Sequence, residues 1–143
     1  MDARAILKAK GSDVATVPPD TSIAAAVALL TERMIGALVV TGDGGALAGI
    51  ISERDIVRGL AEQGAAFLDC RIDTCMASPV ETCAPGDSDR EILALMTDRR
   101  FRHLPVVEDG RLIGIVSIGD VVKSRIDGVM AEADALRDYI VRG

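Results

Sequence analysis

The sequence predicts an α/β protein of two β-α-β-β-α repeats, packed as a pseudo-two-fold symmetric module and followed by a C-terminal helix. Three observations carry that prediction. The chain repeats itself, each copy alternates short apolar runs with a helix-period pattern, and 143 residues suit one compact domain. At an offset of about 66 residues, Thr16, Pro19, Ser22, Ala28, Leu29 and Thr31 recur as Thr82, Pro85, Ser88, Ala94, Leu95 and Thr97. Arg33, Leu38, Val40, Asp43 and Gly44 recur as Arg99, Leu104, Val106, Asp109 and Gly110. After one extra residue near Gly45, the match resumes: Leu47, Gly49, Ile50, Ser52, Asp55 and Val57 become Leu112, Gly114, Ile115, Ser117, Asp120 and Val122.

Each copy opens with a short extended segment, Val14 to Val17 and Val80 to Cys83, and then a proline-containing turn. A helix follows. In the first copy Ile23, Ala26, Val27, Leu30 and Met34 fall on one face at three- and four-residue spacing. In the second, Ser88 and Glu91 have the form of a capping box ahead of Ile92, Leu93 and Met96. Two apolar strands come next, Ala37 to Thr41 with Leu47 to Ser52, and Leu104 to Val107 with Leu112 to Ser117. The glycines of Gly42-Asp43-Gly44-Gly45 and Asp109-Gly110 supply the positive φ of a tight hairpin. A second helix begins near Asp55 and near Asp120. The expected boundaries are 6–64 for the first repeat, 72–127 for the second, and 128–143 for a helical tail.

The tail carries its own pattern. Val122, Ile126, Val129, Ala133, Leu136 and Ile140 step by four and three, an a/d seam of nearly three heptads. Such a helix either lies back on its own domain or pairs with a second subunit. Gly128 inside the pattern weakens a straight helix by up to ~1 kcal/mol.

Composition narrows the function. A net charge of -6 argues against general nucleic-acid binding, which needs a basic surface to displace counterions. With 49% hydrophobic and 27% charged residues the chain is no disordered segment, and with 2% aromatic residues it has no base-stacking platform. The three cysteines, Cys70, Cys75 and Cys83, match no zinc-ribbon spacing and read as packing thiols, with no metal site. The N-terminal residues lack a signal-peptide pattern and no apolar run reaches the ~20 residues of a spanning helix. The expectation is a soluble cytoplasmic protein without a membrane partner. One histidine, His103, and no readable nucleophile–base spacing argue against an enzyme.

The repeated polar pair is the candidate site. Gly49-Ile50-Ile51-Ser52-Glu53-Arg54-Asp55 matches Gly114-Ile115-Val116-Ser117-Ile118-Gly119-Asp120. In each, a hydroxyl ends an apolar strand and a carboxylate follows three residues later at a helix start. Read structurally, the pair is a helix cap that satisfies orphan backbone N–H groups. Read functionally, a carboxylate there accepts from the two hydroxyls of a ribose, and the helix N–H groups favour a phosphate.

With these residues the chain resembles tandem cystathionine-β-synthase (CBS) domains, the pair often called a Bateman module, from about Ile6 through Lys123. Arg102-His103-Leu104-Pro105-Val106-Val107, the Asp109-Gly110 turn and the Gly-x-x-Ser-x-x-Asp segments carry the resemblance. Ser-Glu-Arg-Asp-Ile-Val and Ser-Ile-Gly-Asp-Val-Val further resemble the small stand-alone bacterial members. The resemblance implies a non-catalytic sensor that binds AMP, ADP, ATP, NAD or S-adenosylmethionine in two clefts, with no required cofactor. It implies Asp55 and Asp120 on ribose hydroxyls, with Ser52 and Ser117 near ribose or phosphate. Entry-strand residues Thr16, Val80 and Thr82 are the implied adenine contacts. Arg102 and His103 align with Gly36 and Ala37, so only the second copy has cationic groups there, and Arg54 is the candidate compensating base in the first. A homodimer is expected. The alternative is a ligand-free scaffold for dimerisation or partner docking, kept open by the missing bases at Gly36-Ala37.

Overall fold

The computed structural model describes residues 1–142. The elements run α1 (Ala3–Lys10), β1 (Thr16–Val17), α2 (Ile23–Arg33), β2 (Ala37–Thr41), β3 (Leu47–Ser52), α3 (Glu53–Gln63), α4 (Asp89–Arg99), β4 (His103–Glu108), β5 (Arg111–Ser117) and α5 (Ile118–Arg142). Short 3-10 turns lie at Asp43–Gly45, Gly64–Asp69 and Ile72–Thr74. By packing, residues 13–81 form one unit, and residues 1–12 form another with residue 82 onward. The N-terminal residues thus pack with the second repeat, a division that differs from the boundaries read off the repeat pattern.

In the 13–81 unit β1 pairs parallel with β2 and β2 antiparallel with β3, in the order β1-β2-β3. β2 reads as a continuous apolar run because Leu38, Val39 and Val40 are all fully buried. Ile23, Ala26 and Leu30 of α2 pack with Leu38, Ile51, Ile56, Phe67 and Ile72 into one core. Ser22 caps α2, its hydroxyl accepting from the Ala25 N–H at 3.1 Å. Met34, expected on the buried face, instead ends the helix in the left-handed region (φ 54°) and is 91% exposed. A helix closed in that conformation turns its last side chain away from the stripe.

The second unit repeats the plan. β4 and β5 pair antiparallel, and a parallel bridge from Cys83 to Val106 takes the place of β1. The register is shared: Val40 faces Gly49 and Val106 faces Gly114, with an irregularity after each of the two valines. The hairpins turn as their glycines require, with φ 69° at Gly44 and 77° at Gly110. The capping box expected at Ser88 is half made: its hydroxyl accepts from the Glu91 N–H at 3.1 Å. Arg100 closes α4 at φ 58°, the counterpart of Met34.

α1 has no equivalent in the repeat pattern. Asp2 caps it, accepting from the Ala5 N–H at 2.9 Å, and Gly11 ends it through its own N–H to the Leu7 carbonyl. Ala3, Ile6 and Leu7 join the core of Ile92, Met96, Leu104, Val106, Val116 and Val121. Leu7 lies so close over β5 that a Cβ on Gly114 would fall 2.5 Å from its Cδ2. Gly49, the matching glycine, is covered by Met76. We expect Gly114→Ala to cost about 1–3 kcal/mol in chemical denaturation, through overpacking against Leu7. An unchanged midpoint would mean that α1 gives way at no cost.

The tail is not a separate segment. α5 runs unbroken through Gly128 for 25 residues, about 37 Å at 1.5 Å per residue. Val121 and Ser124 are its buried residues, and positions 129–142 are all exposed. Ser124 donates to the buried Asp89 carboxylate at 2.7 Å, tying α5 to α4. The seam residues Leu136 and Ile140 are 60% and 67% exposed, so the C-terminal half of this helix does not lie back on its own unit.

Candidate functional site

Each Gly-x-x-Ser-x-x-Asp segment becomes a strand end and a helix start. In the first copy Ser52 is the N-cap and Asp55 the third helical residue, joined as a complete capping box. The Ser52 N–H donates to Asp55 Oδ2 at 2.9 Å, its hydroxyl donates to the same oxygen at 3.0 Å, and the Asp55 N–H returns to Ser52 Oγ at 3.4 Å. In the second copy the Ser117 N–H donates to Asp120 Oδ2 at 2.8 Å and the Asp120 N–H to Ser117 Oγ at 3.2 Å. The capping reading is therefore realised in both copies. An ionised carboxylate offers about four lone-pair sites, so capping does not exhaust either group.

The strand before each pair is also matched. Ala37 faces Ser52 and His103 faces Ser117. The Gly36 carbonyl accepts from the Glu53 N–H at 3.0 Å, and the Arg102 carbonyl accepts from the Ile118 N–H at 2.8 Å. His103 thus stands beside Ser117, and Arg102 reaches the start of α5 through its backbone while its side chain is exposed. Thr16 is an exposed edge residue of β1 facing Val39. Val80 is half-buried in irregular chain, and Thr82 is exposed beside Cys83. The hydrogen bonds that knit the two Ser–Asp pairs do not include Thr16, Val80 or Thr82.

The cations nearest the two carboxylates are different from those expected. Arg54 is exposed, and Arg58, one turn further on, holds its Nη1 3.6 Å from Asp55 Oδ1. That pair was legible as an i,i+3 spacing. In the second copy the cation on the carboxylate is Lys10 of α1, whose Nζ donates to Asp120 Oδ2 at 2.5 Å and to the Ile115 carbonyl at 2.9 Å. Burial pushes the Asp120 carboxyl up, but the Lys10 ammonium and the Ser117 amide outweigh it and hold it below its ordinary value. No local signal marked Lys10, which lies 110 positions from its partner.

The thiols behave as packing groups. Burial, helped by Asp87, pushes Cys83 up to about 12, and burial with the nearby Asp55 charge raises Cys75. Among the described residues no group of three or more His, Cys, Asp or Glu is placed to hold a metal ion. No described helix is long and apolar enough to cross a membrane.

Comparison with known proteins matches this geometry to a family. The CBS domain family matches the chain twice, over residues 9–62 and 71–127. The crystal structure of a CBS-domain containing protein from Agrobacterium tumefaciens is 46% identical, with a TM-score of 0.84 over 87% of this chain and 92% of that one. A mitochondrial CBS domain-containing protein of Arabidopsis thaliana, CBSX3, is 38% identical over 87% of this chain, which spans 62% of that relative's length. The CBS domain pair of protein MJ0100, solved in complex with 5-methylthioadenosine and S-adenosyl-L-methionine, is 27% identical with a TM-score of 0.78, over 91% of this chain and 98% of that one. Two matched repeats, each ending a hairpin in a Ser–Asp pair at a helix start, make this chain a tandem CBS-domain pair and a member of the CBS domain family.

Proposed function

We propose that this CBS pair is a non-catalytic regulatory module that binds an adenosine-containing ligand, with Asp55 and Asp120 accepting the ribose hydroxyls. The observation that carries the reading is the repeated pair itself. Both carboxylates are held by the backbone N–H of a serine at a strand end, within the first turn of a helix. A carboxylate fixed in this way is preorganised to accept from a diol, and the helix terminus favours an anionic group. Support also comes from the similar CBS pair that was solved with two adenosine compounds. Ser52 and Ser117 border the ribose or phosphate, and Arg102, His103 and Arg54 are the bases for the phosphate. Thr16, Val80 and Thr82 supply the adenine contacts. AMP, ADP, ATP and NAD are the candidate ligands, without a required cofactor.

The test is a thermal-shift screen of AMP, ADP, ATP, NAD and S-adenosylmethionine. A ligand at 100 times its dissociation constant stabilises the fold by about 2.7 kcal/mol, which reads as a shift of several degrees. No shift with any of these at millimolar concentration would refute ligand binding.

A second reading rests on a specific observation. Val129, Leu136 and Ile140 form an exposed apolar stripe on α5. The 13–81 unit adds an apolar groove of about 470 Å³ between α2 and α3, lined among others by Leu30, Met34 and Val57. Surfaces of this kind mark sites of protein association. The chain is read as a cytoplasmic homodimer closed by the stripe, a state compatible with ligand binding and sufficient for a scaffold without it.

A further inference from the structure

Deepening the ligand-binding reading and resting on it, we propose that Lys10 makes the Asp120 site selective for phosphate-bearing adenosine ligands over neutral or cationic ones. The starting point is an asymmetry between two otherwise matched sites. Asp55 has one guanidinium at 3.6 Å, from Arg58, a side chain that is 66% exposed. Asp120 has the Lys10 ammonium at 2.5 Å, with Lys10 34% exposed.

Lys10 is set in place before any ligand arrives. It ends α1, and α1 is docked by Leu7 over Gly114 and by the Arg4–Glu108 ion pair at 2.5 Å. The ammonium carries three donors. One goes to Asp120 Oδ2 and one to the Ile115 carbonyl, so one is left to reach a ligand oxygen. That third donor decides which ligand the site prefers.

Charge gives the direction. A carboxylate suited to a ribose diol repels the phosphate carried by the same nucleoside. At Asp120 the Lys10 charge cancels that repulsion and adds a charge-assisted hydrogen bond to the phosphate. Arg102, beside the His103 that faces Ser117, extends the same positive edge, where the first copy has Gly36. A neutral adenosine carries no phosphate for the third donor of Lys10 and gains nothing from it. A cationic sulfonium ligand meets repulsion.

The experiment is calorimetric titration of the full chain, wild type and Lys10→Met, with adenosine, AMP and S-adenosylmethionine. Losing one charge-assisted hydrogen bond lowers affinity tenfold or more. Lys10→Met should therefore weaken AMP at one of the sites by roughly tenfold or more, leave adenosine within about twofold, and not weaken S-adenosylmethionine. Lys10→Arg should keep the AMP preference. Lys10→Gln, which keeps a donor without the charge, should lose it, and this covers the case in which the methionine variant folds poorly. Equal weakening of adenosine and AMP would make Lys10 a structural residue and overturn the proposal alone, as would unchanged AMP binding. Tighter binding of both would make Lys10 a plug, with the same consequence. If neither adenosine nor AMP binds the wild type, this proposal falls, and the ligand-binding reading falls with it only if ADP, ATP, NAD and S-adenosylmethionine fail as well.

Discussion

Asp120→Asn is expected to leave the melting temperature of the free protein within a few degrees while weakening nucleotide binding about 10- to 150-fold. The two halves of that result come from different atoms. The amide oxygen of Asn can still accept the Ser117 N–H, so the start of α5 keeps its hydrogen bond. The ion pair with Lys10 is lost, but both side chains are partly exposed, where such pairs contribute little to stability. A ribose is affected more. Asp120 Oδ2 already accepts from the Ser117 N–H and Lys10, so the diol falls on Oδ1, where Asn places an N–H donor. The missing charged hydrogen bond, about 1.5–3 kcal/mol, sets the loss of affinity. Asp55→Asn should act in the same way at the other site, so the double variant should bind almost nothing. Calorimetric titration of both single variants is the measurement. An Asp120→Asn protein that binds as tightly as wild type would leave Asp120 a capping residue only.

For the proposed homodimer, Leu136→Asp with Ile140→Asp is expected to leave a monomer at micromolar concentration. Both positions are exposed within the chain, so the substitutions leave its core untouched. Across a two-fold seam each side chain contributes about 2 kcal/mol of burial. Each of the two chains loses two, so the dimer loses about 8 kcal/mol, roughly a millionfold in its dissociation constant before the cost of burying the new charges. Light scattering reads the mass directly. A wild-type monomer would overturn the homodimer. A dimer that survives these substitutions, or removal of residues 131–143, would move the interface elsewhere; the exposed Met34 and Val57 of the α2–α3 groove are then the next apolar surface to substitute.

Much of the fold was legible because its signals are local. The β2, β3 and β5 runs, the glycine turns and the Ser22 and Ser88 caps follow from residues within a few positions of one another. So does the pairing of Ser52 with Asp55 and of Ser117 with Asp120, since a capping box spans three residues. The doubled pattern then identified the family. Met34 was misplaced for a related reason: its spacing fits the apolar face, but the left-handed closure that turns it outward depends on how the chain enters β2.

The sequence by itself determined that two copies of one unit exist and that each puts a hydroxyl and a carboxylate at the same helix start. Tertiary structure decided what surrounds those carboxylates. α1 has its own short pattern, yet nothing within ten residues of Lys10 says that it docks on β5 and sets an ammonium on Asp120. It also decided that the C-terminal half of α5 stands clear of its own unit, although the a/d spacing fitted either outcome. The physical reason is common to both. Backbone hydrogen bonding and side-chain periodicity act between near neighbours and are written in the order of residues. Docking depends instead on which apolar faces find room against each other, as Leu7 does over a glycine that carries no side chain.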